Sequence, residues 1–544
     1  MLDEKIPPDL MFGSRAWHVL MTTTLMDIGT ALGQLGVYET ADQVMKKANR
    51  HIRNGAGSHD ISVHLLTRTR LQLGWALAWT NQHATALAEL TLTATDAIAA
   101  DWEGASATVA LAATVAYQSG SVPARVRVRE LLRRLVAARP GDGQGHDDAL
   151  TLYAHVALDP FEDRDERLKR LRRITQSGLP YDRSFAGAAA WMLDEPELAS
   201  EQLRAQLDVL RAPGMQASSG GVLSALAWAF SELGQFDGAA AYCEEAFTLA
   251  DAYTMPTVAA STELTLATIL VHRGQPQVAE QLVASALDKT DAVEGRGFHA
   301  RAHHALGLAA STQGNHVLAY ERLRLLFHDA ARPLHYYVSL LALGDLAAAA
   351  RRADRLAEGQ RLVERTLDEF VGTPSPRIEQ VFARARANVS PPSEAGPVYE
   401  IALDDLEGER WPLERAALQL DYGEWLRRQR RIRDARDVLT PALETFRWLR
   451  ALPWIERTEA ELRAAGVRPE RAAARHREEL TAREREITTL AAQGLTNREI
   501  GDRLYLSART VGFHLYNVFP KLGITGRAQL RAALEATDVD QSSV

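Results

Sequence analysis

Up to about residue 465, apolar stretches are broken by short polar segments at a fixed spacing of forty residues. The segments SELGQFDGAA, VHRGQPQVAE and STQGNHVLAY align on Gly234, Gly274 and Gly314. Two positions after each glycine stands Phe236, Pro276 or His316, and five positions after it an alanine: Ala239, Ala279, Ala319. The frame continues upstream at Asp194, Pro196 and Ala199, and downstream at Asp354, Leu356 and Gly359. Weaker copies fall at Gly36, Asn81, Gly120, Asp159 and Arg430, and the frame blurs across 372–398, where five prolines crowd together. The pattern predicts helical hairpins. A glycine or polar residue ends the first helix, the next apolar residue opens the second, and the small residue lets the two approach closely. Each hairpin leaves one apolar face uncovered, so neighbours must stack into a solenoid. The expected fold class is all-α.

The last sixty-odd residues follow a different, non-repeating pattern of four short helices. Thr481 with Glu484, and Thr496 with Glu499, are capping boxes that fix two helix starts. Ile487, Leu490 and Ala491 mark a buried stripe between them, and Gly494 ends that helix in a left-handed cap. The second helix runs to about Leu504, a tight turn follows at Tyr505 and Leu506, and Ser507 caps a third. Val511, Leu515, Val518 and Leu522 form the inner stripe of that third helix, with Arg509, Thr510, Gly512, Phe513 and Tyr516 facing outward or sideways. A short helix, a tight turn and a helix with an exposed start form the arrangement that fits the major groove.

These residues resemble the LuxR-type DNA-binding domain of bacterial transcription regulators. The matching words are Leu480-Thr481, Arg483 to Glu486, Gly494 to Ile500, Leu506-Ser507, Arg509-Thr510-Val511, His514-Leu515 and Lys521 to Ile524. The resemblance implies double-stranded promoter DNA and RNA polymerase as partners, and DNA contacts from Thr496, Arg498, Arg509, Thr510, Gly512, Phe513, Tyr516 and Lys521. It also implies a homodimer on DNA, with Leu530 and Leu534 of the fourth helix as dimer contacts. The repeats resemble tetratricopeptide-type solenoids with a longer period. Joined to such a module, they look like the back half of the large maltose-regulator-type activators. The ATPase of those relatives has no counterpart: neither GDGQG (141–145) nor GAGSHD (55–60) is followed by the lysine of a phosphate loop.

Three departures alter the expected readout. Gly512 stands where relatives carry a charged or polar residue, Tyr516 where they are often cationic, and Pro520 where many are basic. A helical glycine costs about 0.8–1 kcal/mol against alanine, and Pro520 should kink or tighten the helix near Phe519. Base readout is therefore expected from Phe513 and Tyr516, against thymine methyls, with Arg509, Thr510 and Lys521 on phosphates.

Charge sharpens this division. The chain of 544 residues has a net charge of −8, yet 481–535 holds eight Lys/Arg against five acids, so the remainder is −11. A mildly basic module on an acidic body suits specific DNA binding with little non-specific adhesion. The lone Cys243 excludes an intrachain disulfide and fits a reducing cytoplasm. MLDEKIPPDL does not begin as a secretory signal, and no apolar run is long enough to span a membrane.

Other candidates weigh toward packing. His299 and His303 are one turn apart but lack the carboxylate of a zinc helix; Trp75 and Trp79 read as core, or as a concave ligand wall. Trp411, Trp425, Trp448 and Trp454 fit capping of the last hairpins or an inter-domain contact. The runs DPFEDRDERLKRLRR (159–173) and EWLRRQRRIRDARD (424–437) read as solvated helix faces, the second also as an accessory phosphate contact. No catalytic constellation, metal site or cofactor fingerprint is present, so no enzyme is expected. The reading is a cytoplasmic transcription regulator. A repeat domain (1–465) senses a small-molecule or protein effector, GVRPERAAARHREE tethers (linker 466–479), and residues 480–537 bind DNA ahead of a short disordered tail (538–544). The alternative is a protein-interaction scaffold whose DNA-binding domain has weakened, motivated by Gly512 and Pro520.

Overall fold

The computed structural model describes residues 43, 63–139, 148–177, 183–211, 216–327, 333–405, 407–467 and 482–504, and within 511–534 residues 511, 515, 518, 522, 524, 527–531, 533 and 534. Among them the fold is all-α, with one isolated β-bridge between Phe327 and Pro333. Paired helices follow one another: α1 (Val63–Trp79) with α2 (His83–Ala97), α3 (Trp102–Ser119) with α4 (Val122–Ala137), α5 (Ala149–Leu158) with α6 (Arg164–Ser177), and α7 (Arg183–Met192) with α8 (Pro196–Leu210). Next come α9 (Gln216–Glu232) with α10 (Phe236–Ala252), α11 (Pro256–His272) with α12 (Pro276–Asp288), and α13 (Arg296–Thr312) with α14 (His316–Arg324). After the short α15 (Val338–Leu341), α16 (Leu343–Arg352) pairs with α17 (Leu356–Asp368) and α18 (Pro376–Val389) is followed by α19 (Pro392–Asp404). Then α20 (Pro412–Arg428) pairs with α21 (Ile432–Leu449), and α22 (Leu452–Ala464) closes the series. Two compact units divide at Pro391 and Pro392, inside the stretch where the repeat frame blurs.

The frame residue adopts the left-handed conformation at Asn81, Gly120, Asp194, Gly234, Gly274, Gly314, Asp354 and Arg430. The second helix of each of these hairpins opens two residues later, and the small residue at the fifth position is buried at Ala86, Ala199, Ala239, Ala279, Ala319 and Ala435. Two copies differ. The Asp159 frame shifts by four: Asp159 is extended and accepts from the Phe161 amide, while Asp163 takes the left-handed turn. In the blurred stretch the α18–α19 turn passes through extended Ser390 instead. The Gly36 copy lies outside the described residues.

A second register emerges from packing. A Cβ on Gly74, Gly187, Gly307 or Gly423 would lie 2.5, 2.7, 2.5 or 2.4 Å from Leu90, Leu203, Leu323 or Leu439. Each glycine precedes the left-handed residue by seven positions and each leucine follows it by nine, so the leucine seats on bare backbone of the partner helix. Cys243 holds that ninth position after Gly234. It is fully buried, and burial pushes its thiol up to about 12, as befits a small apolar plug. Gly423→Ala should destabilise the protein by about 1–3 kcal/mol through overpacking. Unchanged denaturant unfolding would show that α20 and α21 can slide apart.

The first unit also touches itself across long stretches of chain, beyond neighbour stacking. Thr257 Oγ1 donates to the carbonyls of Ala78 (3.1 Å) and Trp79 (3.0 Å), and the Ala84 amide donates to Glu294 (3.0 Å). Trp79 stacks on Trp75 (centroids 5.6 Å apart) and fills the space over Gly221, so this pair serves the closure. The non-helical segment before α15 then inserts three aromatic rings. His335 Nε2 donates to the Tyr117 carbonyl at 2.7 Å, the Tyr336 hydroxyl to the Ala157 carbonyl, and the Tyr337 hydroxyl to Asp194 at 2.9 Å. His335 Nδ1 accepts from the amides of Tyr337 and Val338, which fixes the neutral ring as the Nε2–H tautomer. The guanidinium of Arg125 lies 3.6 Å over the Tyr336 ring.

The charged runs also resolve. In 159–173, Arg164 and Arg167 are buried, against the expectation of a solvated face: Arg164 donates to the Leu193 carbonyl and Glu195, and Arg167 to Glu162. His304 meets Asp345 at 2.9 Å instead of joining His299 and His303. Burial would raise the Asp345 carboxyl, but Arg384 and His304 hold it below the usual carboxylate range. Trp411 is fully buried, and Trp425 fills the space over Gly396 within the second unit.

Candidate nucleic-acid interface

The C-terminal module starts with α23 (Ala482–Ala492), which ends at Gly494 in the left-handed conformation (φ 95°). The next helix, α24 (Asn497–Leu504), begins at the predicted capping box. The Thr496 amide donates to Glu499 Oε2 at 2.6 Å and its hydroxyl donates to the same oxygen at 2.8 Å, while the Glu499 amide donates back to Thr496 Oγ1 at 3.3 Å. The backbone bond from Thr496, then its side-chain bond, lower the pKa of Glu499. The only hydroxyl proton of Thr496 is thus committed to the cap, and what this helix start offers an anion is its free backbone amides. Arg498, two residues after Thr496, is exposed. Thr481 lies outside the described residues, so the first capping box is not described.

The core beneath is small and closed. Ile487, Ala491, Ile500, Val511, Leu515, Val518 and Leu530 are buried, with Leu490, Leu495, Leu504, Leu522 and Ile524 packed around them. The four inner positions expected of the third helix therefore all pack inward. Arg509, Thr510, Gly512, Phe513, Tyr516 and Lys521 lie outside the described residues, as do Phe519 and Pro520. Leu530 corrects an expectation: it is fully buried in this core, so its side chain is not available to a second copy. Leu534 is half-buried.

Two positions escaped sequence reasoning. Arg527 donates to Asn497 Oδ1 at 2.6 Å and to the Leu495 carbonyl, and Arg531 donates to the Ala492 carbonyl at 3.3 Å. These arginines tie the start of the last helix to the turn between α23 and α24, and so fix the angle at which α24 is presented. By sequence they enter only the positive charge of the module. Their spacing of four, opposite a glycine turn with free carbonyls, was the available signal.

The sequence profile described as "Bacterial regulatory proteins, luxR family" matches residues 478–533. The spore germination protein GerE of Bacillus subtilis is 46% identical over 50 residues, 9% of this chain and 68% of that protein. The transcriptional regulatory protein LiaR of the same organism is 46% identical over 52 residues, 10% of this chain and 25% of LiaR. A regulator of Mycobacterium bovis described as HTH-type is 47% identical over 51 residues, and the match spans only 6% of its length. Among solved structures, a Rap protein complexed with competence and sporulation factor aligns with 68% of this chain and 99% of its own. The identity there is 15% and the TM-score 0.42. No helix among the described residues is long and apolar enough to cross a membrane. A capped helix pair on a closed core, matched to GerE over most of GerE's length, places this chain in the LuxR family of helix-turn-helix DNA-binding transcription regulators.

Proposed function

We propose that this regulator reads promoter DNA with the third helix of its module, as a dimer, under the control of an effector taken up by the helical repeats. The observation that carries the reading is the capping box at Thr496 set on the inward stripe of Val511, Leu515, Val518 and Leu522. Spacings of four, three and four commit one face of that helix to the core, which leaves the positions of Arg509, Thr510, Gly512, Phe513 and Tyr516 for the groove. Arg509, Thr510 and Lys521 grip phosphates, together with Arg498 and the amides that follow Thr496. Phe513 and Tyr516 read bases, with Gly512 permitting close approach. Dimerisation rests on Leu534 and its surroundings, since Leu530 is consumed by the core. The effector is a small molecule or a protein, and RNA polymerase is the downstream partner.

A gel-shift salt titration on sequences selected by the protein tests this. A specific complex with a steep salt slope supports it; its absence favours the scaffold reading suggested by Gly512 and Pro520. Lys521→Ala should weaken binding to all sequences alike and reduce the salt slope by about one. Phe513→Ala or Tyr516→Ala should relax preference at one or two base positions, at about 1–3 kcal/mol each. A selected motif that survives both aromatic substitutions would assign the readout elsewhere.

A further inference from the structure

The run 424–437 is not one helix face. It folds over the tip of the α20–α21 hairpin and places Arg427, Arg428, Arg430, Arg431 and Arg433 within seven residues, with no acid among 427–433. Three of these are engaged: Arg427 with Glu461 (2.5 Å), Arg428 with Glu424 (3.7 Å), and Arg431 with Asp434 (2.6 Å). Arg430 and Arg433 are exposed and form no ion pair with a described residue. Arg430 also holds the left-handed conformation, φ 63°. Eight other described hairpins place Asn, Asp or Gly there: Asn81, Gly120, Asp163, Asp194, Gly234, Gly274, Gly314 and Asp354, while Thr254 and Arg450 hold the same conformation in the connections that follow α10 and α21. A long side chain in that conformation costs about 1–2 kcal/mol, so the fold alone favours glycine, asparagine or aspartate. What sets this tip apart is that Arg430 joins Arg433 in offering two exposed cations, without an ion pair to a described residue, in a run of seven residues that holds no acid.

We propose that this hairpin tip is a second DNA contact, in which Arg430 and Arg433 bind phosphates beside the segment covered by the helix-turn-helix. The proposal rests on the DNA-binding reading above. The chemistry favours a polyanion over a protein surface. Among the described residues of the second unit the exposed large apolar side chains are Ile401 and Leu452, and neither lies in the tip, so the tip itself has no apolar centre for a protein interface. Reach permits it as well. Val467 and Ala482 are fifteen peptide steps apart, at most about 50 Å, and one helical turn of DNA is about 34 Å.

The test needs no operator, because phosphate contacts act on any sequence. Binding of the full chain to a 40-base-pair duplex of random sequence is followed by fluorescence anisotropy at several salt concentrations. Two phosphate contacts contribute about 1.8 to the salt slope, so Arg430→Gly with Arg433→Gln should remove about a ten-fold part of the affinity loss between 50 and 200 mM salt. The melting temperature should hold or rise, since glycine relieves the backbone; a merely structural role for Arg430 predicts no change in slope. Arg355→Gln, at a turn of the first unit, serves as the charge control and should leave the slope alone. An unchanged slope in the double variant, with the wild type binding normally, overturns the proposal and leaves a solvated tip or an acidic protein partner. An equal drop in the control overturns it too. A wild type without salt-dependent binding sinks the DNA-binding reading itself, and this proposal with it.

Discussion

Lowering the pH from 7.5 to about 4.5 should unfold the repeat array, with most of the loss below pH 6.5. His335 and His272 are buried, and burial holds both down to about 4 from the ordinary 6.5. Between those values the unfolded chain binds protons that the folded chain refuses. Stability is therefore complete above about 6.5 and is lost as the pH falls through the window toward 4. A depression of about 2.5 units corresponds to roughly 3 kcal/mol for each ring. Two such rings approach the whole stability of a typical domain, about 5–15 kcal/mol. The geometry supports the sign for His335: beside burial, Nδ1 accepts two amides and would lose them on protonation, and Arg125 is the charge nearby, while the Tyr117 carbonyl at Nε2 opposes them only in part. Denaturant unfolding at a series of pH values would measure it. His335→Gln keeps a donor and an acceptor without the titration, so it should cost stability at pH 7.5 yet flatten the acid limb by about 1.4 kcal/mol per pH unit. An acid limb as steep as the wild type's would acquit His335.

Asp194→Ala should be the most damaging single substitution in the first unit, at about 3 kcal/mol or more. Asp194 is almost fully buried and does two things at once. Its backbone forms the left-handed turn of the α7–α8 hairpin (φ 56°), and its carboxylate accepts from Tyr337 and Ser375 and faces Arg377 at 3.5 Å. Removing a partner from a buried ionic cluster commonly costs about 3–5 kcal/mol. Here Glu232 still holds Arg377 at 2.8 Å, which sets the lower end. The backbone part separates by comparison. Asp194→Gly should be about 1–2 kcal/mol less harmful than Asp194→Ala, because only glycine adopts the turn without strain. Equal losses in urea unfolding would mean that the turn carries no strain and the carboxylate accounts for everything.

The repeat was legible because it is local. A left-handed residue, a helix start two positions on and a small residue five positions on are backbone requirements that each hairpin meets by itself. Even Asp354 and Arg430 revealed the turn through their neighbours rather than their own identity. The closure of the first unit was not legible, since Tyr337 and Asp194 are 143 residues apart and nothing in a forty-residue period announces such a pair. The segment Leu334 to Tyr337 even disrupts the period, and reads as a failed repeat until its rings are seen packed among α3, α5 and α7. In the module, the caps and the core stripe were plain. The roles of Arg527 and Leu530 were not, because charge and amphipathicity do not say which side of a small core a residue faces.

That same closure bears on how the protein comes into being. Ala78 and Tyr117 meet partners 179 and 218 residues further along, and a ribosome adds about 5–20 residues per second. The hairpins α1–α2 and α3–α4 therefore wait about 10–40 s with their contact surfaces bare, an interval in which a chaperone or a neighbouring nascent chain competes for them. A chain stopped near residue 250 would hold nearly five complete hairpins among the described residues and still lack what seals α1 and α2.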